Sequence, residues 1–186
     1  MRRIAAVTAA IASLLLVFAP PASAAGNSDD LDPRLPSAHS VVYREQAVIA
    51  AAPEHIWLLI TDLAGYSSWN PWVVRAEGTV ARGAAVNVDV ILGSHTMPAR
   101  HTVLVAENNA RFCWRDAGWN AHVVYGQRCR TLQRQSDGRV LYTSELLLDG
   151  PLASLTGLAM GGHLRTGMAA ETAALKRHAE RSASQP

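Results

Sequence analysis

The chain has 186 residues, 49% of them hydrophobic, and a formal net charge of +2. That size suits one domain with a real core. So small a charge, with no basic run carrying interleaved aromatics, argues against a nucleic-acid binder.

In chain order, Arg2 and Arg3 form a short positive region, Ile4 to Ala19 is apolar, and Pro20-Pro21 breaks it before Ala22-Ser23-Ala24. That is the pattern of a secretory signal peptide (1–24), cut after Ala24. The apolar run is short for a membrane span and a cleavage site follows it directly. No cysteine lies near the cut, which argues against a lipid-anchored product. No later run is long enough to cross a bilayer, so the expected product is periplasmic or secreted, with no stable membrane insertion. Its two cysteines, Cys113 and Cys129, would then sit in an oxidising compartment. A bridge between them would add about 3 kcal/mol on the chain-entropy model. Two buried free thiols is the alternative.

Residues 25–40 are polar, with two prolines and three aspartates, and read as a disordered linker. A single domain is expected over 41–182, with a tail at 183–186. Val41 to Ala50 reads as a strand. Pro53 suits a first helical position, and Ile56, Trp57, Ile60 and Leu63 make one apolar helix face that Gly65 ends. Tyr66 to Trp72 is an aromatic turn with a second short helix. Strands follow at 73–80, 85–92, 99–106 (with Pro98 at the start), 110–115, 122–133 and 139–148. The alternation of Val86, Val88, Val90 and Leu92 is the cleanest. A long helix then runs from about Leu152 to Arg181. Gly157, Gly161, Gly162 and Gly167 weaken its first half, so a break or kink is expected near Gly161-Gly162.

Several stretches together resemble the START-like, helix-grip superfamily known as SRPBCC, in its polyketide cyclase/dehydrase-like branch. They are Ala52-Pro53-Glu54-His55-Ile56-Trp57, Tyr66-Ser67-Ser68-Trp69-Asn70-Pro71, Phe112-Cys113-Trp114, Gly126-Gln127-Arg128, Glu145 before Gly150, and Gly167-Met168 through Lys176. The resemblance implies an α+β fold. A curved antiparallel sheet of about seven strands carries two short helices after the first strand, and a long C-terminal helix packs across it. Two departures stand out. The last helix carries Met168 and Glu171 where such proteins usually carry bulky apolar residues, and this chain looks exported.

Asp137-Gly138 is the strongest hairpin signal. A two-residue loop there would set Ser136 opposite Arg139, Leu132 opposite Thr143, Arg130 opposite Glu145 and Arg128 opposite Leu147. Periodicity does not say which sheet face this pair occupies. The resemblance implies that Glu145 points inward with Arg128 and Trp114, making a charged pocket wall for a carboxylate, phosphate or enolate. An ordinary surface pair is the alternative. His101 shares a face with Ala99, Val103 and Val105, as a pocket or a core histidine. Trp69 and Trp72 read as core, rim or gate, and Met168 as a gap-filler or ligand contact.

No HExxH, GxSxG, GxGxxG or P-loop is present, and the histidines show no paired ligand spacing. No metal or cofactor is expected. The expected function is an exported carrier of a small hydrophobic or lipid-like ligand, held between the sheet and the last helix. The alternative is a cyclase or dehydratase on an enolisable, polyketide-like substrate. There Arg128 or Arg130 would stabilise an enolate, and Glu145 or His101 would move the proton. The ligand's identity and the oligomeric state stay open.

Overall fold

The computed structural model describes residues 31–117 and 123–183. The expected signal peptide, the first residues of the linker and the end of the tail lie outside them. Seven strands form one antiparallel sheet: β1 (Val41–Ile49), β2 (Val73–Gly78), β3 (Ala85–Leu92), β4 (His95–Glu107), β5 (Arg111–Asp116), β6 (Tyr125–Arg134) and β7 (Val140–Asp149). Their order is β1-β7-β6-β5-β4-β3-β2. Helices α1 (Pro53–Thr61) and α2 (Tyr66–Trp69) follow β1, and α3 (Ala153–Ala183) ends the domain. Helix α3 packs on β1, β7, β3 and both short helices. This is the helix-grip architecture.

Pro53 opens α1, where its missing N–H costs nothing and its ring presets φ. Ile56, Trp57 and Ile60 turn the buried face of α1 onto the core. Pro98 lies inside β4, opposite Asp89, instead of starting the strand.

Helix α3 runs through Gly161-Gly162 without a break. Its glycines serve contact instead. A methyl group on Gly161 would run into the Tyr43 hydroxyl, and one on Gly167 into the Trp72 ring. The Tyr43 hydroxyl also donates to the Gly157 carbonyl at 3.2 Å. Small residues thus let the helix lie close against the sheet.

The β6–β7 turn differs from expectation by one residue. Gln135 N–H donates to the Arg139 carbonyl, Gly138 N–H donates to the Gln135 carbonyl, and Gly138 has φ 84°. This is a three-residue loop with a left-handed glycine, not a two-residue turn. Arg130 therefore pairs with Ser144, and Cys129 with Glu145. Because side chains alternate, a slip of one residue exchanges the two faces of β7.

On the convex face, Cys113 and Cys129 are direct cross-strand neighbours on β5 and β6, 4.1 Å apart at Cα, and joined by a disulfide. Leu104, Val105 and Leu31 pack around them. Leu31 belongs to the expected linker. Residues 31–40 are instead laid along this face. Arg34 exchanges backbone hydrogen bonds with the Gln127 side chain at 2.8 and 3.1 Å and stacks over Tyr125. Ser40 donates to Asp149 at 2.9 Å.

Candidate functional site: a charged cluster beneath the last helix

The concave face collects alternate residues of each strand: Phe112, Trp114 and Asp116 from β5, Arg128 and Arg130 from β6, Tyr142, Ser144 and Leu146 from β7. Two of these are arginines in an otherwise apolar and aromatic core. Isolated charges are too costly to bury, so each needs a partner. The partner is Glu171, which α3 presents on the same face as Met168, Thr172 and Leu175. Arg128 Nη1 donates to Glu171 at 2.8 Å, and Arg130 Nη2 at 3.4 Å. Arg128 also donates to the Ser144 hydroxyl from Nε at 3.2 Å and from Nη2 at 3.0 Å, and its guanidinium lies 4.6 Å over the Trp72 ring.

Arg130 is completely buried, and its Nε and Nη1 have no hydrogen-bond partner. Its guanidinium lies 4.2 Å from the Trp114 ring centre and 5.5 Å from that of Phe112. Burial works against the charge of Arg130, yet Tyr66 and Glu171 beside it hold the group above its ordinary value. Burial would likewise raise the Glu171 carboxyl, but the charges of Arg128 and Arg130 outweigh it and hold it low. Burial pushes the phenols of Tyr66 and Tyr142 up, so both are neutral at pH 7.

Nearer one end of the sheet, His101 stacks on Trp114 at 5.1 Å with planes 15° apart. Its Nδ1 lies 3.0 Å from Asp116 Oδ1. Trp114 is thus flanked by His101 from β4 and by Arg130 from β6. Gly126 on β6 makes room for this pair, since any side chain there would meet the Asp116 carboxylate. At the same end of the sheet, Val90, Ala99 and Leu146 face inward with Leu164 of α3 above them. All four are only half-buried, although they pack against the core. Beside the arginines the interior is closed, since Met168, Tyr142 and Glu171 are fully buried.

Of the residues expected at a pocket, Arg128, Arg130, Trp114, His101, Trp72 and Met168 meet on the concave side. Glu145 does not. It sits on the convex face, where its carboxylate accepts from Arg44 Nε at 3.0 Å. The one-residue register difference is the cause. Trp69 is not at the open end either. It packs on Tyr66 and stacks with His178, near the far end of α3. Trp72 is buried and lines the interior rather than guarding an entrance. Glu171, Asp116, Ser144, Tyr66 and Tyr142 were not among the expected site residues. The sequence did carry a signal for Glu171: an acid at helical spacing with Met168, Thr172 and Leu175 sits on a buried stripe and requires a buried cation. Among the described residues no cluster of His, Cys, Asp and Glu is arranged to hold a metal ion.

Solved structures of similar shape are numerous. The Zhui aromatase/cyclase from Streptomyces sp. R1128 superposes with a TM-score of 0.64 at 15% identity, covering 77% of this chain and 95% of that one. Norcoclaurine synthase from Thalictrum flavum, in complex with dopamine and hydroxybenzaldehyde, gives 0.60 at 13% identity, covering 78% and 90%. A START superfamily protein from Mycobacterium smegmatis gives 0.52 at 15% identity, covering 71% and 97%. No protein-family model matches the sequence, and no curated protein matches it. At these identities the likeness is one of fold, and the fold is the START-like helix grip.

Proposed function

We propose, starting from a helix-grip fold that supports ligand binding or cyclase chemistry in general, that this chain is an exported binder of a small, largely apolar molecule. The ligand lies between the sheet and the first half of α3, with its polar end toward Arg128 and Arg130. One observation carries the reading. Val90, Ala99, Leu146 and Leu164 point into the domain yet keep part of their surface in contact with solvent, beside neighbours that have none. Apolar surface that packs on the core and stays partly exposed is surface that an apolar molecule covers favourably. Leu146 is the cross-strand partner of Arg128, so an apolar body and a polar anchor point adjoin. Export is supported by the N-terminal pattern and by the Cys113–Cys129 disulfide.

Native mass spectrometry of the exported protein, followed by titration of the delipidated protein with a hydrophobic fluorescent probe, tests the binding. A bound small molecule, or saturable probe uptake, is the expected result. Protein that carries nothing and takes up no probe overturns it. Cell fractionation with N-terminal sequencing tests export, with a mature start at Ala25 expected.

A second reading, a cyclase or dehydratase on an enolisable substrate, draws on the His101–Asp116 pair. His101, whose Nδ1 lies 3.0 Å from Asp116 Oδ1, would take or give the proton, while Arg128 and Arg130 would stabilise an enolate. Glu145 has no part in it. The test is proton–deuteron exchange of a 1,3-diketone by wild type and His101→Gln. Exchange lost in the variant favours the enzyme, and no exchange in either favours the carrier.

A further inference from the structure

We propose that the molecule held is a monoanion, an amphiphile ending in a carboxylate or a comparable singly charged oxygen acid. The inference rests on the binding reading above and adds the sign and size of the charge. Among the described residues, three closely buried ionised groups meet under α3, Arg128, Arg130 and Glu171, whereas the Asp116 carboxylate, across Trp114 from Arg130, is 43% exposed and faces His101. Two cations and one anion leave one positive charge over. Ser144 accepts from Arg128 without carrying charge, and the two phenols nearby, Tyr66 and Tyr142, are neutral. The rings of Trp114 and Phe112 attract the Arg130 cation, but they do not cancel it.

A buried charge with no counter-charge is unfavourable, and a fold that needed only structure here would be better served by an apolar side chain. Among the described residues, Nε and Nη1 of Arg130 are the unpartnered buried donors that carry charge on the concave face, beside the neutral Asn70 Nδ2, Trp72 Nε1, Tyr142 hydroxyl and Thr172 hydroxyl, and no solvent reaches Arg130. An incoming anion supplies both the acceptor and the missing charge. The half-buried row of Leu146, Ala99, Val90 and Leu164 then covers its apolar body. Met168, one helical turn before Glu171 on the buried face of α3, is the unbranched side chain best able to shift and admit the head group.

The test is calorimetric titration of delipidated full-length mature protein at pH 7.5 with decanoate, decanol and decyl phosphate. Decanoate is expected to bind at least tenfold more tightly than decanol, a difference of about 1.4 kcal/mol, and more tightly than the dianionic phosphate. The preference is expected to change less than twofold between 0.05 and 0.5 M salt, because the cluster is buried, whereas capture by surface arginines would be screened. In Arg130→Met the preference for decanoate over decanol is expected to vanish. Should that variant fail to fold, the wild-type thermal shift decides: decanoate raises the melting temperature and decanol at equal concentration raises it less. Equal binding of decanoate and decanol overturns the inference and leaves the carrier reading standing. Binding of none of the three overturns both.

Discussion

Glu171→Gln removes the one anion between two buried guanidinium groups at nearly constant volume. With N–O separations of 2.8 and 3.4 Å, the gross attractions at an effective dielectric of about 20 are roughly 6 and 5 kcal/mol. Desolvation of the three ions offsets most of this in the native protein. Removing one partner keeps the desolvation and loses the attraction, at a net cost of about 3–5 kcal/mol. Arg128 and Arg130, two residues apart on one strand and so ~7 Å apart, would then repel by ~2 kcal/mol at the same dielectric, within that range. At about 2–4 °C per kcal/mol for a domain of this size, the melting temperature should fall by roughly 6–20 °C. The assay is urea and thermal unfolding at pH 7 with the disulfide intact. The companion Arg130→Met keeps the neutral Arg128–Glu171 pair and should unfold within about 1 kcal/mol of wild type, or be more stable. If Glu171→Gln costs less than 1 kcal/mol, the cluster is not the buried triad argued here. The pH dependence gives a second check. The folded carboxyl of Glu171 lies below its unfolded value of about 4.3. Its contribution is therefore full above that value and is lost as the pH falls through the lower, folded one. Wild type should lose stability below about pH 4 more steeply than Glu171→Gln does.

Reduction of the Cys113–Cys129 bridge, which closes a 16-residue separation, should cost about 3 kcal/mol in urea unfolding; a loss under 1 kcal/mol would contradict this. Gly161→Ala and Gly167→Ala should each destabilise by about 1–3 kcal/mol through overpacking against Tyr43 and Trp72. Gly162→Ala has nothing within 4 Å and should stabilise by up to ~1 kcal/mol through helix propensity; thermal melts of the three distinguish contact from kink. Glu145→Gln loses only a convex-face pair with Arg44 and should change stability by less than about 1 kcal/mol. It should leave probe binding unchanged, and a loss of binding would put Glu145 back in the site.

Much of the architecture is legible in the sequence, because it depends on local period. Alternating Val86, Val88 and Val90 make a strand wherever they lie. Pro53 with the Ile56, Trp57 and Ile60 face makes a helix start. The ordered set of short stretches pointed to seven strands and a closing helix, which the fold bears out. The cysteines were placed on neighbouring strands by the same reasoning, and there the bridge forms.

What period could not supply was register and distance. Whether Glu145 or Ser144 faces the interior turned on one residue in the 135–139 turn, and a three-residue loop with Gly138 left-handed decided it. The pairing of Arg128 and Arg130 with Glu171 joins residues more than forty positions apart. Only the lie of α3 across β6 brings them within hydrogen-bonding reach, and that lie depends on Gly161 and Gly167 admitting Tyr43 and Trp72. Strand and helix are short-range consequences of side-chain pattern. A buried ion cluster is a long-range one, because charges find each other only after the whole sheet has closed.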